Sequence, residues 1–187
     1  MPRGLVYPME VSKDRLTAAT FEELAVPLFD QLYNFAHWLT QDRSEAEDLV
    51  QETYAKALRG FSSFQVGTNF RAWIYRILRN TFLTSRTGLK ANVPLDFDET
   101  SEPSSGLETP ETVLIERAQQ RIVQETMAEL PVNFREILIL CEVEEMSYQE
   151  IAEALAVPIG TVMSRLSRAR RALRDRLRQK LQGETNG

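Results

Sequence analysis

The chain is predicted to be all-α, with two small helical domains joined by a flexible acidic linker. Three observations predict this. Apolar residues recur at helical spacing in both halves, and no stretch alternates β-branched residues between hairpin turns. Capping-box pairs, Thr20 with Glu23 and Ser147 with Glu150, mark helix starts. Residues 87–112, TGLKANVPLDFDETSEPSSGLETPET, carry three prolines, two glycines and no helical period. The expected division is 17–86, a linker at 87–112, and 113–183.

The elements follow in order. The Thr20/Glu23 box leads into Phe21, Leu24, Leu28, Leu32 and Phe35, one amphipathic helix. A second starts at Ser44 and runs through Ala46, Leu49, Val50, Thr53, Ala57 and Leu58 to Gly60. A loop from Phe61 to Asn69 precedes a third helix, Phe70 to Ser85, expected to bury Phe70, Trp73, Ile74, Ile77 and Leu78. Its other side presents Arg71, Tyr75 and Arg79, flanked by Arg76 and Asn80. Helices near 113–130 and 133–142 follow, with Pro131 at their join.

Ser147 to Leu173 has the form of a helix-turn-helix. Ile151, Ala152 and Leu155 keep helical spacing, Ala156-Val157-Pro158 breaks it, and Gly160-Thr161 opens the next helix. That helix has an apolar stripe of Val162, Leu166, Ala169, Leu173, Leu177 and Leu181. Ser164, Ser167, Arg168 and Arg171 fall on the opposite side, free to reach a groove and its phosphates.

The net charge of −5 disguises a strong polarity. The whole excess lies in residues 87–112, where one lysine faces six acids. Residues 21–60 net −5 and residues 61–86 net +4 with no acid; residues 113–160 net −6 and residues 161–187 net +6. Each half therefore has an acidic and a basic part, as an acidic protein that binds nucleic acid requires. A single cysteine, Cys141, and a single histidine, His37, build neither a disulfide framework nor a usual metal cage nor a histidine triad. No cofactor, metal site or catalytic residue is expected, nor any signal peptide or membrane span, and a cytoplasmic setting is the default.

Two constellations carry the functional argument. Phe61, Phe64, Phe70, Trp73 and Tyr75 are interleaved with Arg71, Arg76, Arg79 and Arg86. Rings that stack bases and guanidinium groups that hold phosphates suit single-stranded nucleic acid. Thr68 and Asn69 could supply donors to a base drawn out of its stack. The second helix opens with Glu45, Glu47, Asp48 and Glu52, which read either as dipole-favoured solvated acids or as a docking surface.

DLVQETYAKALRGF followed by NFRAWIYRILRNTF resembles the promoter-opening region of group IV, or extracytoplasmic function (ECF), bacterial sigma factors of the sigma-70 family. LPVNFREILILCEVEEMSYQEIAEALAVPIGTVMSRLSRARRAL resembles their C-terminal promoter-binding region, in the same order and with a linker of plausible size. The resemblance implies an alternative sigma factor, not an enzyme, with sigma region 2 and sigma region 4 as its two domains. It implies that Asp48, Leu49, Gln51, Glu52 and Tyr54 dock on the β′ clamp helices of core RNA polymerase. It implies that Phe64, Thr68, Asn69, Arg71, Tyr75, Arg76, Arg79 and Asn80 capture and help melt the −10 element. Thr161, Met163, Ser164, Arg165, Ser167, Arg168 and Arg171 would lie on the helix that reads the −35 duplex. Further implied partners are promoter DNA, the polymerase β flap and an anti-sigma factor, which if membrane-bound would hold the chain at the membrane. The acidic linker would thread the polymerase's RNA path.

Two departures from the family pattern concern readout. Met163 stands where Lys or Arg is frequent, and Ser167 where a bulkier or more polar side chain is, so −35 recognition leans on apolar contacts, phosphate bonds and DNA shape. Ala156 occupies a turn position where glycine is common; a left-handed backbone there costs on the order of 1 kcal/mol. The competing reading is a stand-alone helix-turn-helix regulator.

Overall fold

The computed structural model describes residues 20–65, 67–88 and 110–185. Most of the predicted linker, 89–109, and the start of the first predicted domain lie outside these residues. Every regular element described is helical: α1 (residues 20–25), a 3₁₀ turn (Val26–Leu28), α2 (Phe29–Thr40), α3 (Arg43–Gly60), a second 3₁₀ turn (Phe61–Ser63) and α4 (Phe70–Gly88). Then come α5 (Pro110–Ala128), α6 (Val132–Leu138) continued by a π segment (Ile139–Val143), α7 (Tyr148–Leu155) and α8 (Ile159–Thr185).

The predicted first helix is two helices. Pro27 has no N–H to continue the α-helical ladder, so the chain tightens into the 3₁₀ turn before α2 begins. Thr20 is already helical and stands inside α1. Gln41 closes α2 in the left-handed region, φ 59°, its N–H bonding the His37 carbonyl at 2.8 Å. Asp42 then starts α3, its Oδ1 accepting the Glu45 N–H at 2.7 Å, which places the helix start one residue ahead of Ser44. At the linker ends, residues 87–88 and 110–112 extend α4 and α5.

The first core gathers Leu32, Phe35, Val50, Ala57, Ile74 and Leu78 from α2, α3 and α4. Phe21, Phe61, Phe64, Phe70 and Trp73 form an adjoining aromatic cluster, with centroids 5.3 Å apart for Phe21–Phe61 and 5.1 Å for Phe64–Trp73. Such pairs add roughly 0.5–1.5 kcal/mol each beyond area burial, so these rings serve packing first. Ile77 and Trp73 are only half-buried.

In the second half, Ser147 and Glu150 make the full capping box: the Ser147 Oγ accepts the Glu150 N–H at 3.2 Å, and Glu150 accepts the Ser147 N–H at 2.8 Å. Ala156 ends α7 in the left-handed region at φ 53°. Val162, Leu166 and Ala169 of α8 are buried against α6 and α7, and Leu173 and Leu177 half-buried. Leu181, expected on the same stripe, is exposed.

The two halves pack together. α4 lies along α7, and α2 meets α6. Arg135 of α6 is buried at this joint, with no carboxylate partner among the described residues, and its guanidinium donates to backbone carbonyls at the ends of α2 and α5. Those acceptors are Met127 and Ala128 at the end of α5 and Leu130 in the turn after it, at 3.1, 2.6 and 3.1 Å, and Trp38 and Leu39 of α2, both at 3.3 Å. Carbonyls in a helix's last turn carry the negative end of its dipole, which compensates the buried cation. Burial, and then Arg86 nearby, hold its pKa below the ordinary arginine value.

Candidate nucleic-acid interfaces

α4 brings Arg71, Tyr75 and Arg79 to one face at spacings of four, as read from the sequence. That face is covered. Glu144, delivered by the π segment and its following turn, accepts from the Tyr75 hydroxyl at 2.7 Å and from Arg71 Nη2 at 3.2 Å. The same Arg71 nitrogen bonds the Glu144 carbonyl at 2.7 Å. Glu136 of α6 takes Arg79 side-on, Nε to Oε2 at 2.7 Å and Nη2 to Oε1 at 3.1 Å, a bidentate pair. Arg76 donates to the Glu153 carbonyl of α7, and the Asn69 amide reaches Glu150 at 3.1 Å.

The consequence for exposure is large. Tyr75, expected on an open polar side, is 1% exposed, and Glu136 and Glu144 are 1% and 6% exposed. The expectation of an open face is therefore corrected: the side of α4 away from its own core is closed by the other half of the chain. Burial and the adjacent Glu144 carboxylate push the Tyr75 hydroxyl far above its usual range. Asn80 stays exposed, and Arg86 pairs with Glu45 at 2.6 Å. In the preceding loop Phe64 is half-buried in the aromatic cluster, whereas Thr68 is exposed, its hydroxyl bonding the Gln65 carbonyl at 2.7 Å. Asn69 Oδ1 also accepts the Ala72 N–H at 3.0 Å, capping the start of α4.

The opening turns of α8 are different. Met163 is 55% exposed, and Ser164, Ser167, Arg168 and Arg171 are exposed with it, while Thr161 is half-buried. Arg168 bends back onto the Ser164 carbonyl at 3.3 Å. Arg165 is turned inward and meets Glu136 Oε1 at 3.5 Å, so one carboxylate holds an arginine from each predicted DNA-reading set. Arg170, not among the predicted contacts, pairs with Glu142 at 2.6 Å and its guanidinium lies 3.6 Å from Cys141 Sγ. Cys141 is half-buried, and burial together with Glu142 raises its thiol pKa, the opposite of an activated nucleophile.

Of the expected polymerase-docking residues, Asp48, Gln51 and Glu52 are exposed on α3, with Glu52 paired to Lys56 at 2.7 Å. Leu49 is buried in the core beneath them. Tyr54 is half-buried, its hydroxyl donating to the Ala25 carbonyl at 2.6 Å, and burial and Asp30 push its pKa up to about 12. Val26, Phe29 and Leu58 are exposed apolar side chains, the Phe29 ring 6.0 Å from that of Tyr54; Leu58 belongs to the apolar run predicted for the second helix. Among the described residues there is no cluster of metal-ligating side chains, and no helix is long and apolar enough to cross a membrane.

The sequence reading also missed Arg135, Glu136 and Glu144. The available signal was a charged pair, Arg135-Glu136, set directly before the apolar run Ile137 to Leu140.

Comparison with known proteins matches these two helical groups separately. Residues 27–90 match the family model described as Sigma-70 region 2, and residues 120–173 match Sigma-70, region 4. The chain is 33% identical over 173 residues to the ECF RNA polymerase sigma factor SigE of Mycolicibacterium smegmatis, covering 90% of this chain and 65% of that protein. It is 33% identical over 143 residues to the ECF RNA polymerase sigma-E factor of Haemophilus influenzae, covering 72% of this chain and 76% of that one. Among solved structures it superposes on the sigma factor RpoE of Bartonella quintana, crystallised in complex with the anti-sigma factor NepR. The TM-score is 0.68 at 28% identity, covering 85% of this chain and 97% of that chain. With both sigma regions in family order and a relative of this identity matched over most of its length, the chain belongs to the ECF sigma factors of the sigma-70 family, which are transcription initiation factors rather than enzymes.

Proposed function

We propose that this chain binds core RNA polymerase and directs it to a subset of promoters, dividing recognition between its two halves. Residues 17–86 act as sigma region 2, residues 113–183 as sigma region 4, and residues 87–112 as the linker. Asp48, Gln51 and Glu52, with Tyr54 beside them and Leu49 packed beneath, dock on the β′ clamp helices. The exposed apolar side chains of Val26, Phe29 and Leu58 extend that surface. Arg71, Tyr75, Arg76, Arg79 and Asn80 of α4, with Phe64, Thr68 and Asn69 of the loop before it, take the displaced −10 strand. Backbone charge is met by guanidinium groups and bases by rings, as single-strand binding requires. Thr161, Met163, Ser164, Ser167, Arg168 and Arg171 of α8 meet the −35 duplex in the major groove, with Arg165 joining them once it leaves Glu136.

The observation that carries this reading is the first half of α8. Its apolar stripe is buried while a continuous row of serines and arginines stands bare, as a recognition helix needs. Met163 at the centre of that row contributes apolar contact where a base-edge donor is frequent, which favours methyl-bearing bases. An anti-sigma partner and a cytoplasmic setting complete the proposal. The anti-sigma partner is supported by the superposition, over 85% of this chain, on a sigma factor crystallised with the anti-sigma factor NepR.

Run-off transcription with purified core polymerase on candidate promoter fragments tests the reading. A transcript that depends on the chain is expected. No such transcript, with footprints equally strong on a palindromic site without polymerase, would make it a stand-alone helix-turn-helix regulator.

A further inference from the structure

We propose that α8 carries a phosphate rail beyond its base-reading turns, in which Arg171, Arg174 and Arg178 hold the DNA backbone without regard to sequence. The inference rests on the reading above and extends it to Arg174 and Arg178, which that reading does not use. The three arginines stand three and four residues apart, so they share one side of the helix. All three are exposed and, among the described residues, none has a hydrogen-bond or ion-pair partner. Cations off this stripe are treated differently. Arg165 meets Glu136, Arg170 meets Glu142, and Lys180 meets Glu125 and Glu129. The chain thus spends its own acids elsewhere on α8 and leaves the stripe bare, in a segment, residues 161–187, that nets +6. Arg174 and Arg178 also lie past residue 173, where the match to Sigma-70, region 4 ends.

The length of α8 says where these side chains go. The helix runs from Ile159 to Thr185, 27 residues and so about 40 Å. A straight rod of that length cannot follow a major groove about 12 Å wide and about 8.5 Å deep that winds around the duplex. The first turns enter the groove, and the later ones pass over the phosphates on its rim. Ser167 and Arg171 are one turn apart, so the rail continues the side that the reader presents. Met163, Ser167, Arg171 and Arg174 also line one hollow of about 300 Å³ beside Tyr148. Arg171 to Arg178 spans about 10 Å of helix, and each strand offers a phosphate every ~3.4 Å of axis, so each guanidinium has one to hold. Such contacts fix register and add affinity but carry no base preference. That suits a reader in which Met163 and Ser167 leave few donors for base edges.

The test measures how salt weakens binding of the full chain, assembled with purified core polymerase, to a promoter fragment from the run-off assay. Each arginine–phosphate contact contributes about 0.9 to the slope of log affinity against log salt, so Arg174→Gln with Arg178→Gln should lower the slope by about 1.8. Between about 50 and 200 mM salt the unchanged chain should then lose about tenfold more affinity than the variant. Scrambling the −35 element should weaken both by the same factor, because the rail reads no base. Arg174→Lys with Arg178→Lys should keep the slope, and so should the charge-matched pair Arg176→Gln with Lys180→Gln, which lies off the stripe. An unmoved slope in the Arg174 and Arg178 variant overturns the rail. An equal fall in the charge-matched pair overturns it too, since overall field would then explain the effect. A variant that no longer responds to the scrambled element makes these arginines base readers instead. If the slope holds while assembly with core polymerase weakens, the stripe holds an acidic protein segment and not DNA. Should the double substitution cost helical circular dichroism, Arg174→Gln alone decides, with an expected fall of about 0.9. Run-off transcription separates the two readings. A transcript with an unmoved slope removes the rail alone, whereas a slope that falls without any chain-dependent transcript keeps the rail and removes the initiation factor.

Discussion

α4 and α8 are built alike and stand in opposite states. Both are long amphipathic helices with one apolar stripe and one arginine-bearing side. On α8 Met163, Ser164, Ser167, Arg168 and Arg171 of the first turns meet solvent, with Arg168 bonded to its own helix, while Arg165 and Arg170 turn aside to Glu136 and Glu142. On α4 the polar side is roofed by α7 and by the end of α6, and its arginines meet carboxylates and carbonyls. An arginine-rich face is thus a list of donors, and the partner a donor holds depends on what the rest of the chain brings to it. In this molecule the recognition helix is presented and the strand-capturing helix is withheld.

The largest effect should come from the joint that keeps α4 roofed. Arg135→Ala removes five donor contacts and leaves carbonyls of α2 and α5 without them. A loss of roughly 3 kcal/mol in the urea-unfolding free energy is expected, with interdomain energy transfer falling before helical signal does. If the two signals fall together and the loss is under about 1 kcal/mol, Arg135 is not what joins the halves.

The next effect lies at Tyr75, whose hydroxyl bonds a carboxylate. Tyr75→Phe should cost about 1.5–3 kcal/mol at neutral pH, the range for hydrogen bonds to charged groups. A pH dependence follows. Tyr75 and Tyr54 both have pKa values raised in the folded chain, chiefly by burial, the latter to about 12. The stability they contribute is fully present below pH about 10, the ordinary tyrosine value, and is lost as pH rises from there towards 12. Urea titrations between pH 8 and 11.5 should show that alkaline loss, and Tyr75→Phe should make it shallower. An unchanged slope would mean that Tyr75 ionises as freely folded as unfolded.

On the open helix the same size of change should touch function and spare the fold. Arg168→Ala is expected to weaken −35-dependent initiation by about 1–3 kcal/mol if the side chain meets a base, and to move stability by less than about 0.5 kcal/mol. Initiation from fork-junction templates that lack the −35 duplex should be unaffected; an equal loss there would reassign the residue.

The contrast also explains which parts of the molecule were legible in advance. Periodicity reports which side of a helix is apolar, so the spans of α3, α4, α7 and α8 and the buried Ile74, Leu78, Val162 and Leu166 were readable. Local chemistry gave the capping box at Ser147. Pro27 was passed over because the apolar spacing runs on through it. The roof over α4 had no local signature. A polar side covered by polar partners looks the same in sequence as one covered by water, and Glu136 and Glu144 entered only as part of an acidic total. Arg135 is harder still, since its partners are carbonyls, which every residue has.

The smallest effect probes the hinge between α7 and the open helix. Ala156 ends α7 at φ 53°, where an L side chain crowds the following carbonyl at roughly 1–2 kcal/mol. It is exposed, so its methyl group contributes no packing to offset that cost. Glycine removes the clash and loses somewhat more backbone entropy on folding, leaving a net gain of about 0.5–1 kcal/mol for Ala156→Gly. Thermal unfolding should register this as a Tm higher by a few degrees. The substitution also separates geometry from strain at the helix-turn-helix. Val157 keeps its N–H on the Ala152 carbonyl at 3.0 Å whatever occupies position 156, so the angle at which α8 is presented should persist and −35-dependent initiation with it. A more stable chain that initiates less well would mean that the strained alanine holds α8 at its working angle, and that the open helix, like the closed one, is positioned at an energetic cost.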